Sequence, residues 1–343
     1  MNTISVVILN YNGEKMLEKY LPSVVSNTKD AEIIVADNKS TDNSITWIKN
    51  NYPSIRIIEM SENWGFAEGY NKALKQVDSE YFILLNSDVY TPEGWLQPLI
   101  DYLKNNNQCG ACQPKILSDI DKNKFEYAGA AGGYIDYFGY PFCRGRIFDY
   151  VETDKGQYDD IADIFWASGA CLAIKKSVFD SIGGFDGRFF AHQEEIDLCW
   201  RLKSLGYSIA CIPQSKVYHL GGGSLNYESP RKTFLNFRNN AILLYKNLPT
   251  NKYIFVRTVR ILLDFIASIQ MLLQGKTANA KAVITGNIEF IKMKSHFKAS
   301  KKSISQSVTC KKPYGILNHL LLWKVYINKN KTFNQLKFQK KYS

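Results

Sequence analysis

Short apolar runs alternate along the first half of the chain with longer stretches in which apolar residues recur at helical spacing. The helical spacing is clear from Met16 to Val25, directly after the first apolar run. Because the runs are mostly apolar and helical stretches separate them, the pattern predicts a mostly parallel β-sheet with helices on both faces. The runs of strand length are residues 4–9, 32–36, 55–59 and 81–85.

Polar residues that favour turns follow three of these predicted strands. They are Asn10–Asn12, Asp37 and Asn86–Asp88. Ligands of such sheets bind beyond the carboxyl ends of the strands, so the pattern places these residues on one ligand-binding rim. Asp88 could there hold a divalent cation that bridges a diphosphate. The alternative is a turn aspartate that accepts hydrogen bonds from its own backbone.

Two adjacent acids, Glu194 and Glu195, open a predicted helix that runs to Arg201. One of their carboxylates could face a pocket and accept a proton from a hydroxyl nucleophile, although the helix macrodipole alone also favours acids there. Neighbouring residues on a helix point in different directions, so we expect only one of the two to face the pocket. Asp197 and Arg201, four residues apart, are expected to form a structural ion pair.

His219 ends a predicted strand over residues 216–219, which follows another over residues 208–212. A neutral imidazole at this place could complete a metal site with Asp88. A single histidine is more often a packing or hydrogen-bonding residue, so both interpretations stay open at this point.

The composition excludes a disordered chain, because 45% of the 343 residues are hydrophobic and 13% are aromatic. The formal net charge of +11 is unevenly distributed. Residues 1–230 carry 21 Lys and Arg against 30 Asp and Glu, whereas residues 231–343 carry 22 against only Asp264 and Glu289. The seven cysteines, an odd number, favour a reducing cytosol over a disulfide framework. We expect no secretory signal, because no basic region precedes the apolar run at Ile4.

The basic tail contains a predicted amphipathic helix over residues 254–273, in which one polar stripe is surrounded by apolar residues. The charges in the stripe argue against a transmembrane span. The apolar face and the lysine excess predict peripheral attachment to an anionic membrane surface. The alternatives are packing on the catalytic body or on a second subunit. The stripe is Arg257, Arg260, Asp264 and Ser268, and the lysines are Lys292, Lys294, Lys298, Lys301, Lys302, Lys311 and Lys312.

A second apolar segment, residues 314–327, contains Trp323 and Tyr326, which are residue types that suit a membrane interface. Nucleic-acid binding is the rival use of so much positive charge, but no recognised nucleic-acid motif is present in the sequence. We therefore expect a membrane partner and no nucleic acid.

Taken in order, eight segments between residues 3 and 248 resemble the family 2 glycosyltransferases, particularly their rhamnosyltransferase-like branch. Each segment is weak alone, whereas the ordered set is highly specific. The segments are residues 6–12, 35–42, 62–67 with Asn71, 84–88, 166–171, 184–190, 194–201 and 217–219.

The resemblance implies an α/β protein with the GT-A fold, which is a Rossmann-like, mostly parallel sheet with helices on both faces. An α-helical, basic C-terminal extension follows it in this chain. Residues 1–248 would form the glycosyltransferase domain, with a nucleotide-sugar-binding half over 1–116 and an acceptor and catalytic half over 117–248. Residues 249–343 would form the membrane-associating tail.

The same resemblance assigns roles to the residues of the rim. Asn10 and Asp37 match positions that contact the nucleotide base, and Asn63, Gly65 and Phe66 also lie near the nucleotide. The resemblance places Asn86 and Asp88 at the family's D-x-D motif, which holds Mg²⁺ or Mn²⁺ against the donor diphosphate. Asn86 replaces the first acid of that motif, so the metal would have one fewer anionic ligand.

Three further assignments concern the chemistry and the acceptor. His219 matches a position that also ligates the metal in similar enzymes. Glu195 matches the catalytic base, with the longer glutamate where aspartate is commoner. Trp166, Gly169 and Glu194 fall on the acceptor side, where flat rings pack against the apolar faces of sugars.

The function implied is inverting transfer of a sugar, with rhamnose as the candidate, from a nucleotide-diphosphate sugar to a hydroxyl of a glycan or polyprenyl-linked acceptor. Such a reaction belongs to cell-surface polysaccharide synthesis. We expect the enzyme to be cytoplasmic and peripheral on the inner face of the cell membrane. The alternatives are a non-catalytic nucleotide-sugar-binding or scaffold protein and a sugar-1-phosphate nucleotidyltransferase. The latter would need a basic, glycine-rich phosphate loop after the first strand, and residues 10–13 do not form one.

Overall fold

The computed structural model describes residues 3–221, 229–310, 312–336 and 338. Its strands belong to a nine-stranded central sheet and a five-stranded second sheet. The strands are β1 (Ile4–Asn10), β2 (Glu32–Asp37), β3 (Arg56–Glu59), β4 (Tyr81–Asn86), β5 (Val89–Tyr90), β6 (Cys109–Ser118), β7 (Gly133–Asp136), β8 (Pro141–Cys143), β9 (Arg146–Ile147), β10 (Tyr150–Val151), β11 (Ala162–Asp163), β12 (Cys171–Lys175), β13 (Ser208–His219) and β14 (Ile316–Leu317).

Helices connect and flank these strands. The α-helices are α1 (Glu14–Asn27), α2 (Ser44–Asn51), α3 (Gly65–Leu74), α4 (Gln97–Asn105), α5 (Lys176–Ser181), α6 (Glu194–Ser204), α7 (Pro230–Asn247), α8 (Thr250–Leu273), α9 (Thr277–Met293) and α10 (Lys298–Ser307).

The central sheet has the strand order β11-β13-β6-β12-β4-β1-β2-β3, and β5 pairs with β13. The pairs β1–β2, β1–β4, β2–β3 and β6–β13 are parallel, whereas β12 runs antiparallel to both β4 and β6. The predicted mostly parallel α/β sheet is therefore confirmed. The second sheet, in the order β10-β9-β8-β7-β14, joins a strand of the tail to strands of the body.

Side chains of each central strand alternate between two cores, one on each face of the sheet. On β1, Val7 packs in one core, while Val6 and Ile8 pack in the other. Both faces of the central strands are thus covered, which explains why these strands are mostly apolar.

Strand pairing gathers the polar strand ends on one rim. Asn10 is in register with Asp37 across β1 and β2, and Asn86 is opposite Leu9 across β1 and β4. Because β13 ends at His219 beside Ser118 and Val89, the sheet also carries the histidine to this region.

Helix α4 begins at Gln97, with Pro98 in its first turn, where a missing N–H removes no helical hydrogen bond. The two predicted strands at 208–212 and 216–219 form one strand, β13, whose register shifts between Ile212 and Lys216.

In the tail, α8 turns its polar stripe toward the protein and its apolar residues outward. Arg257, Arg260, Asp264 and Ser268 are all buried, whereas Leu262 and Phe265 are each 60% exposed. Lys311, one of the lysines that we counted in the tail, lies outside the described residues. Within those residues, the helices are too short or too polar for any of them to cross a bilayer.

Candidate active site

The ends of β1 and β2 form a buried polar cluster. The Asn10 side-chain amide donates to the Asp37 carboxylate at 3.0 Å and to the Ser40 hydroxyl at 3.1 Å. Asp37 also accepts from the Ser40 backbone N–H at 2.9 Å. The Asn10 side-chain carbonyl is buried and has no hydrogen-bond partner. This arrangement leaves an acceptor available for a ligand at the place where the resemblance puts the nucleotide base.

Asn38, which we did not single out from the sequence, joins this cluster to the start of α3. Its amide donates to the Asn63 side chain at 3.1 Å and to the Gly65 carbonyl at 2.9 Å. Its own side-chain oxygen accepts from the Trp64 N–H at 3.0 Å. One buried side chain therefore fixes the loop that carries Asn63 and Gly65. Its signal in the sequence was its place directly after Asp37 at a strand end.

The ends of β4 and β13 bring Asp88 and His219 together. The Asp88 Oδ1 atom lies 3.1 Å from His219 Nε2, and the Asn86 amide lies 3.4 Å from the same nitrogen. Asp88 and His219 are both buried. The structure thus assembles the three residues that the sequence placed in one metal and diphosphate site.

Glu126 lies on the other side of His219 and was missed from the sequence. Its Oε1 atom is 3.4 Å from His219 Nδ1, and the residue is only 3% exposed. Burial alone would lower the pKa of His219, but the charges of Asp88 and Glu126 raise it to about 10. Glu126 sits in a stretch without periodicity that folds back along β6, where its N–H donates to Ile116. No spacing rule in the sequence could have found it.

The Asp88–His219 pair suits a divalent ion. A carboxylate and an imidazole 3.1 Å apart could together hold one Mg²⁺ or Mn²⁺ ion. Within the described residues, no three or more His, Cys, Asp and Glu side chains are grouped so that they could hold a metal ion by themselves. An ion at this pair would therefore take its remaining ligands from water or from the donor diphosphate.

The segment that leads into α6 packs against the start of α3. The Phe190 carbonyl accepts from the Phe66 N–H at 2.6 Å and from the Ala67 N–H at 3.1 Å. Gly65 has φ +71, and a Cβ there would lie 2.5 Å from the Phe190 ring. The close approach requires glycine at residue 65 and joins the nucleotide side of the rim to the segment before Glu195.

Glu194 and Glu195 differ in their surroundings. Glu194 is 3% exposed, whereas Glu195 is only partly buried. Burial and the nearby charge of Glu195 raise the pKa of Glu194 well above its usual value. Burial raises the pKa of Glu195 to about 7. Each carboxyl has one buried oxygen without a hydrogen-bond partner. Glu195 therefore has the exposure and the pKa of a general base that works near neutral pH.

Asp197 and Arg201 form the expected structural ion pair, at 2.9 Å, beneath the first turn of α6. Lys246 also contacts Asp197 at 2.9 Å and Asp186 at 2.7 Å. These buried pairs join α6 to α7 and to the turn before the Phe190 segment. They hold α6, the helix that carries Glu195, in place and are themselves buried.

The residues assigned to the acceptor side lie deeper than we expected. Trp166 is 3% exposed, its indole N–H donates to the Tyr134 carbonyl at 2.8 Å, and its ring covers Gly133. It therefore packs in the core and presents no face to a sugar. Gly169 faces the Phe66 ring, which a Cβ at residue 169 would approach to 3.0 Å.

The sequence profile of glycosyl transferase family 2 matches residues 5–183, which is more than half of the chain. The chain belongs to glycosyl transferase family 2. The match begins in β1 and takes in the Asn10, Asp37 and Asp88 region of the site.

Three curated relatives resemble this glycosyltransferase at low identity. The N-acetylglucosaminyl-diphospho-decaprenol L-rhamnosyltransferase of Mycobacterium tuberculosis is 26% identical over 235 residues, which cover 64% of this chain and 76% of the relative. The rhamnosyltransferase WbbL of Escherichia coli is 23% identical, over 63% of this chain and 83% of its own. The low-salt glycan biosynthesis hexosyltransferase Agl10 of Haloferax volcanii is 24% identical, over 85% and 92%. The chain is thus a family 2 glycosyltransferase of the rhamnosyltransferase-like kind.

Two solved structures show the same fold. The mannosyltransferase PcManGT of Pyrobaculum calidifontis, in complex with GDP-Man and Mn²⁺, aligns with a TM-score of 0.52 at 12% identity, over 89% of this chain and 84% of that one. GalNAc-T7 with UDP, GalNAc and Mn²⁺ aligns with a TM-score of 0.53 at 19% identity, over 64% of this chain but 43% of that one. The expected GT-A fold is confirmed.

Proposed function

We propose that this glycosyltransferase moves a hexose, with rhamnose as the first candidate, from a nucleotide-diphosphate sugar to a hydroxyl of a glycan or polyprenyl-linked saccharide, with inversion. The observation that carries the proposal is the buried Asp88–His219 pair on the ligand-binding rim, 3.1 Å apart. A carboxylate and an imidazole at this spacing are ligands that suit a divalent ion and, through it, a diphosphate.

Each group of the site has a distinct part in the proposed reaction. The polar cluster of Asn10, Asp37 and Asn63 binds the nucleotide, and Asp88 and His219 would hold Mg²⁺ or Mn²⁺. A bound divalent ion supplies positive charge beside the departing diphosphate. Asn86, in place of an acid, has its side-chain amide nitrogen 3.4 Å from His219 Nε2 and would leave the ion with fewer anionic ligands.

The proposed transfer is a single displacement. The Glu195 carboxylate takes the proton of the acceptor hydroxyl, and the acceptor oxygen forms a bond to the anomeric carbon. The bond from that carbon to the diphosphate oxygen breaks, and the nucleoside diphosphate leaves with the electron pair. Burial and the charge of Glu195 raise the pKa of Glu194 well above its usual value, and Glu194 is the more deeply buried of the two, so it is the less suited to act as the base.

The acceptor and its place are proposed from the relatives and from the tail. The Mycobacterium tuberculosis relative is named for a decaprenol-linked diphosphosaccharide, which is a lipid-linked acceptor. We propose a similar polyprenyl-linked or glycan acceptor in cell-surface polysaccharide synthesis, reached at the inner face of the cell membrane. Residues 1–248 form the proposed catalytic domain, and residues 249–343 the proposed tail that meets the anionic membrane surface.

A panel of nucleotide-diphosphate sugars, scored by release of nucleoside diphosphate with a lipid-linked saccharide acceptor, tests the proposal. We expect release with one donor in Mn²⁺, none in EDTA, and none from Glu195→Gln, which keeps the shape of the side chain but cannot accept the proton. Glu93→Gln, at an exposed residue of the loop before α4, is the matched control and should react normally.

Two results would contradict the proposal. Turnover by Glu195→Gln at the wild-type rate would show that Glu195 is not the catalytic base. Calorimetric binding of donor and metal without turnover on any acceptor would indicate a nucleotide-sugar-binding or scaffold protein instead.

A further inference from the structure

The outer surface of the tail is an unusually apolar face built by α8 and α9, which we call the hairpin face. Fifteen of the nineteen large hydrophobic side chains that are exposed within the described residues lie in the tail. Those on the hairpin face are Ile254, Phe255, Ile261, Leu262, Phe265, Ile266, Ile269, Leu272 and Leu273 of α8 and Ile284, Ile288 and Ile291 of α9. A contiguous apolar surface of this kind on a folded chain marks a binding surface.

A buried polar network fixes which side of α8 points outward. Arg260 pairs with Asp264 at 3.1 Å, and Asn287 of α9 contacts Asp264 at 3.3 Å and Arg257 at 2.5 Å. The Ser268 hydroxyl donates to the Ala280 carbonyl at 3.1 Å. These contacts hold the polar stripe of α8 against α9 and the body, so the apolar residues on the opposite side of α8 face outward.

The surroundings of the hairpin face are basic and aromatic. On α9, Lys281 precedes Ile284 by one turn and Lys292 follows Ile291, and both lysines are exposed. The tail has only one acid that is not buried, Glu289, within the described residues. Positive groups at both ends of an apolar row complement the phosphates of an anionic lipid surface.

A groove beside the start of α8 adds further lysines to the surroundings of the hairpin face. It has a volume of about 1770 Å³, and Lys298, Lys302 and Lys312 in its lining are exposed. Tyr137 also lines the groove, and its ring lies 5.4 Å from that of Phe138, which contacts Phe255 of the hairpin face. The charged groove and the apolar face are therefore neighbours.

Two aromatic side chains elsewhere in the tail are also exposed. Trp323 and Tyr326 are 58% and 50% exposed, and Tyr326 stacks on Phe148 at 6.0 Å. Phe148 contacts Tyr140, over which the Arg260 guanidinium of α8 lies. Tryptophan and tyrosine are enriched where a protein passes from lipid chains to headgroups.

We propose that the hairpin face docks on an anionic bilayer, with the apolar residues of α8 and α9 among the upper acyl chains and the lysines at the phosphates. The 24 residues of α8 span about 36 Å, and a helix with one polar side held by the protein lies in the plane of the membrane. This inference deepens the proposed function, because a polyprenyl-linked acceptor is held in the same bilayer.

A bilayer suits this face better than a second copy of the chain does. In a twofold dimer the same surface meets itself, so the lysines at the ends of α9 and in the groove would be brought together with only Glu289, which lies 3.8 Å from Lys292, to balance them. An anionic membrane can take up the apolar residues and pair its phosphates with the lysines around them.

The hairpin face is also joined mechanically to the site. On α9, Gly286 packs so closely on α7 that a Cβ would lie 2.9 Å from the Phe234 carbonyl. From α7, Asn239 holds the backbone of the segment before Glu195. A bilayer that contacts α9 therefore lies one helix away from the proposed base.

Cosedimentation of the full chain with vesicles tests the proposal without donor or acceptor. We expect binding to vesicles of phosphatidylcholine and phosphatidylglycerol in equal parts, and weaker binding to phosphatidylcholine alone. The double variant Leu262→Glu/Phe265→Glu should lower the partition coefficient on the order of tenfold or more. Both side chains are 60% exposed, so the variant keeps the fold, which circular dichroism checks.

The matched control is Ile120→Glu/Ile161→Glu, which places the same two charges at isoleucines of the body that are 79% and 46% exposed and should bind vesicles normally. Turnover on a water-soluble acceptor, measured in parallel, reports the proposed function separately and should be unchanged in both variants. Unchanged vesicle binding by the double variant would overturn the proposal. A wild-type dimer in light scattering that the double variant dissociates would assign the face to a second copy instead.

Discussion

Asn239 of α7 donates its side-chain amide to the backbone carbonyl of His192 at 2.6 Å, three residues before Glu195. The same nitrogen reaches the carbonyls of Phe189 at 3.0 Å and Ala191 at 2.8 Å. A single, fully buried amide thus holds three carbonyls of the segment that delivers Glu195 to the site. A helix outside the sheet therefore helps to position the proposed base.

The segment needs such support because its backbone is strained. Phe190, His192 and Gln193 have φ values of 66, 71 and 69, in the left-handed region that residues with a side chain rarely adopt. Each such residue costs about 1 to 3 kcal/mol and persists only where its surroundings hold it. The hydrogen bonds from α7 supply that hold.

Asn239→Ala should therefore impair both folding and catalysis. It leaves buried carbonyls without donors, which should lower the free energy of unfolding by about 2 kcal/mol. Because the segment before Glu195 is released, kcat should fall about tenfold or more. The donor affinity should fall less than kcat does, since Asn239 bonds to the segment around Phe190 and reaches the nucleotide loop only through it. Urea denaturation, steady-state kinetics and calorimetry measure the three quantities.

Asn240→Ala is the control for this variant. The Asn240 amide donates to the Gly139 carbonyl at 2.7 Å and to the Gln193 side chain at 3.2 Å, and so it contacts none of the three carbonyls. It should lose stability by a similar amount with a smaller fall in kcat. Equal falls in kcat for the two variants would show that general loosening, and not the carbonyl contacts, explains the loss.

A second prediction separates a steric contact from backbone strain at Gly65. A Cβ at residue 65 would lie 2.5 Å from the Phe190 ring and 2.7 Å from the Phe190 carbonyl oxygen, with φ at +71. Gly94 has a similar φ of +75, with no other atom within 4 Å of its Cβ position. Gly94→Ala should lower the free energy of unfolding by about 1 kcal/mol, from backbone strain alone.

Gly65→Ala should lower the free energy of unfolding by more than Gly94→Ala does, because Phe190 must move to make room for the Cβ. Thermal unfolding measures the difference between the two variants. It should also raise the KM for the donor and lower kcat, since residue 65 touches both the nucleotide loop and the Phe190 segment. If the two variants lose the same stability and both keep wild-type kinetics, the contact between Gly65 and Phe190 is unimportant.

A third prediction concerns pH. Burial raises the pKa of Glu195 from 4.5 to about 7, so only the unprotonated fraction can act as a base. The rate kcat should rise with pH up to about 7, with a fall of about tenfold per pH unit below it. A rate that is independent of pH between about 5 and 8, with chemistry rate-limiting, would contradict the role of Glu195.

The raised pKa of Glu195 also affects the free energy of unfolding, which should fall with rising pH where kcat rises. Between its ordinary pKa of 4.5 and the raised value of about 7, the folded protein binds more protons at Glu195 than the unfolded chain does. The stabilising contribution of the protonated group is fully present below pH 4.5 and is lost as the pH rises through 7. Relative to Glu195→Gln, the wild type should become less stable over this window, whereas Glu93→Gln should follow the wild type.

The rim could be predicted because it depends on local pattern. Asn10, Asp37 and Asn86 end apolar runs, and parallel strands bring such ends together whatever the details of packing. The face of α8 that turns inward could not be predicted in the same way. A polar stripe faces water by default, and only the pairing of Arg257 and Asp264 with Asn287 on another helix makes it the buried side.

The parts that sequence reasoning missed are those that depend on distant contacts. Arg238, Asn239 and Asn240 form a buried polar row on α7 and bond to residues about 50 or 100 positions away, at Phe189, His192 and Gly139. Trp166 was assigned to the acceptor side because it is an aromatic residue near the site, but an aromatic residue there can equally belong to the core. Burial decided between these roles.

The last prediction concerns Glu126, which lies 3.4 Å from His219 Nδ1 on the side of the ring opposite Asp88. A carboxylate behind a ligating histidine orients the ring and increases its basicity, and its loss costs about 10- to 100-fold in metal affinity. Glu126→Gln keeps the size of the side chain and an oxygen that can accept from the Ala128 N–H, but it removes the charge. We therefore expect the Kd for Mn²⁺ to rise about tenfold or more, measured by electron paramagnetic resonance with nucleoside diphosphate present.

Glu152→Gln is the matched control, because Glu152 is a partly buried carboxylate of the same region that accepts from Tyr158 and is bonded to the tail through Phe333. It should bind Mn²⁺ as the wild type does. His219→Gln, which removes the ring itself, should bind Mn²⁺ at least as weakly as Glu126→Gln. Wild-type Mn²⁺ affinity in Glu126→Gln, with weak binding in His219→Gln, would show that the histidine holds the metal without its carboxylate partner, and Glu126 would then be a structural residue.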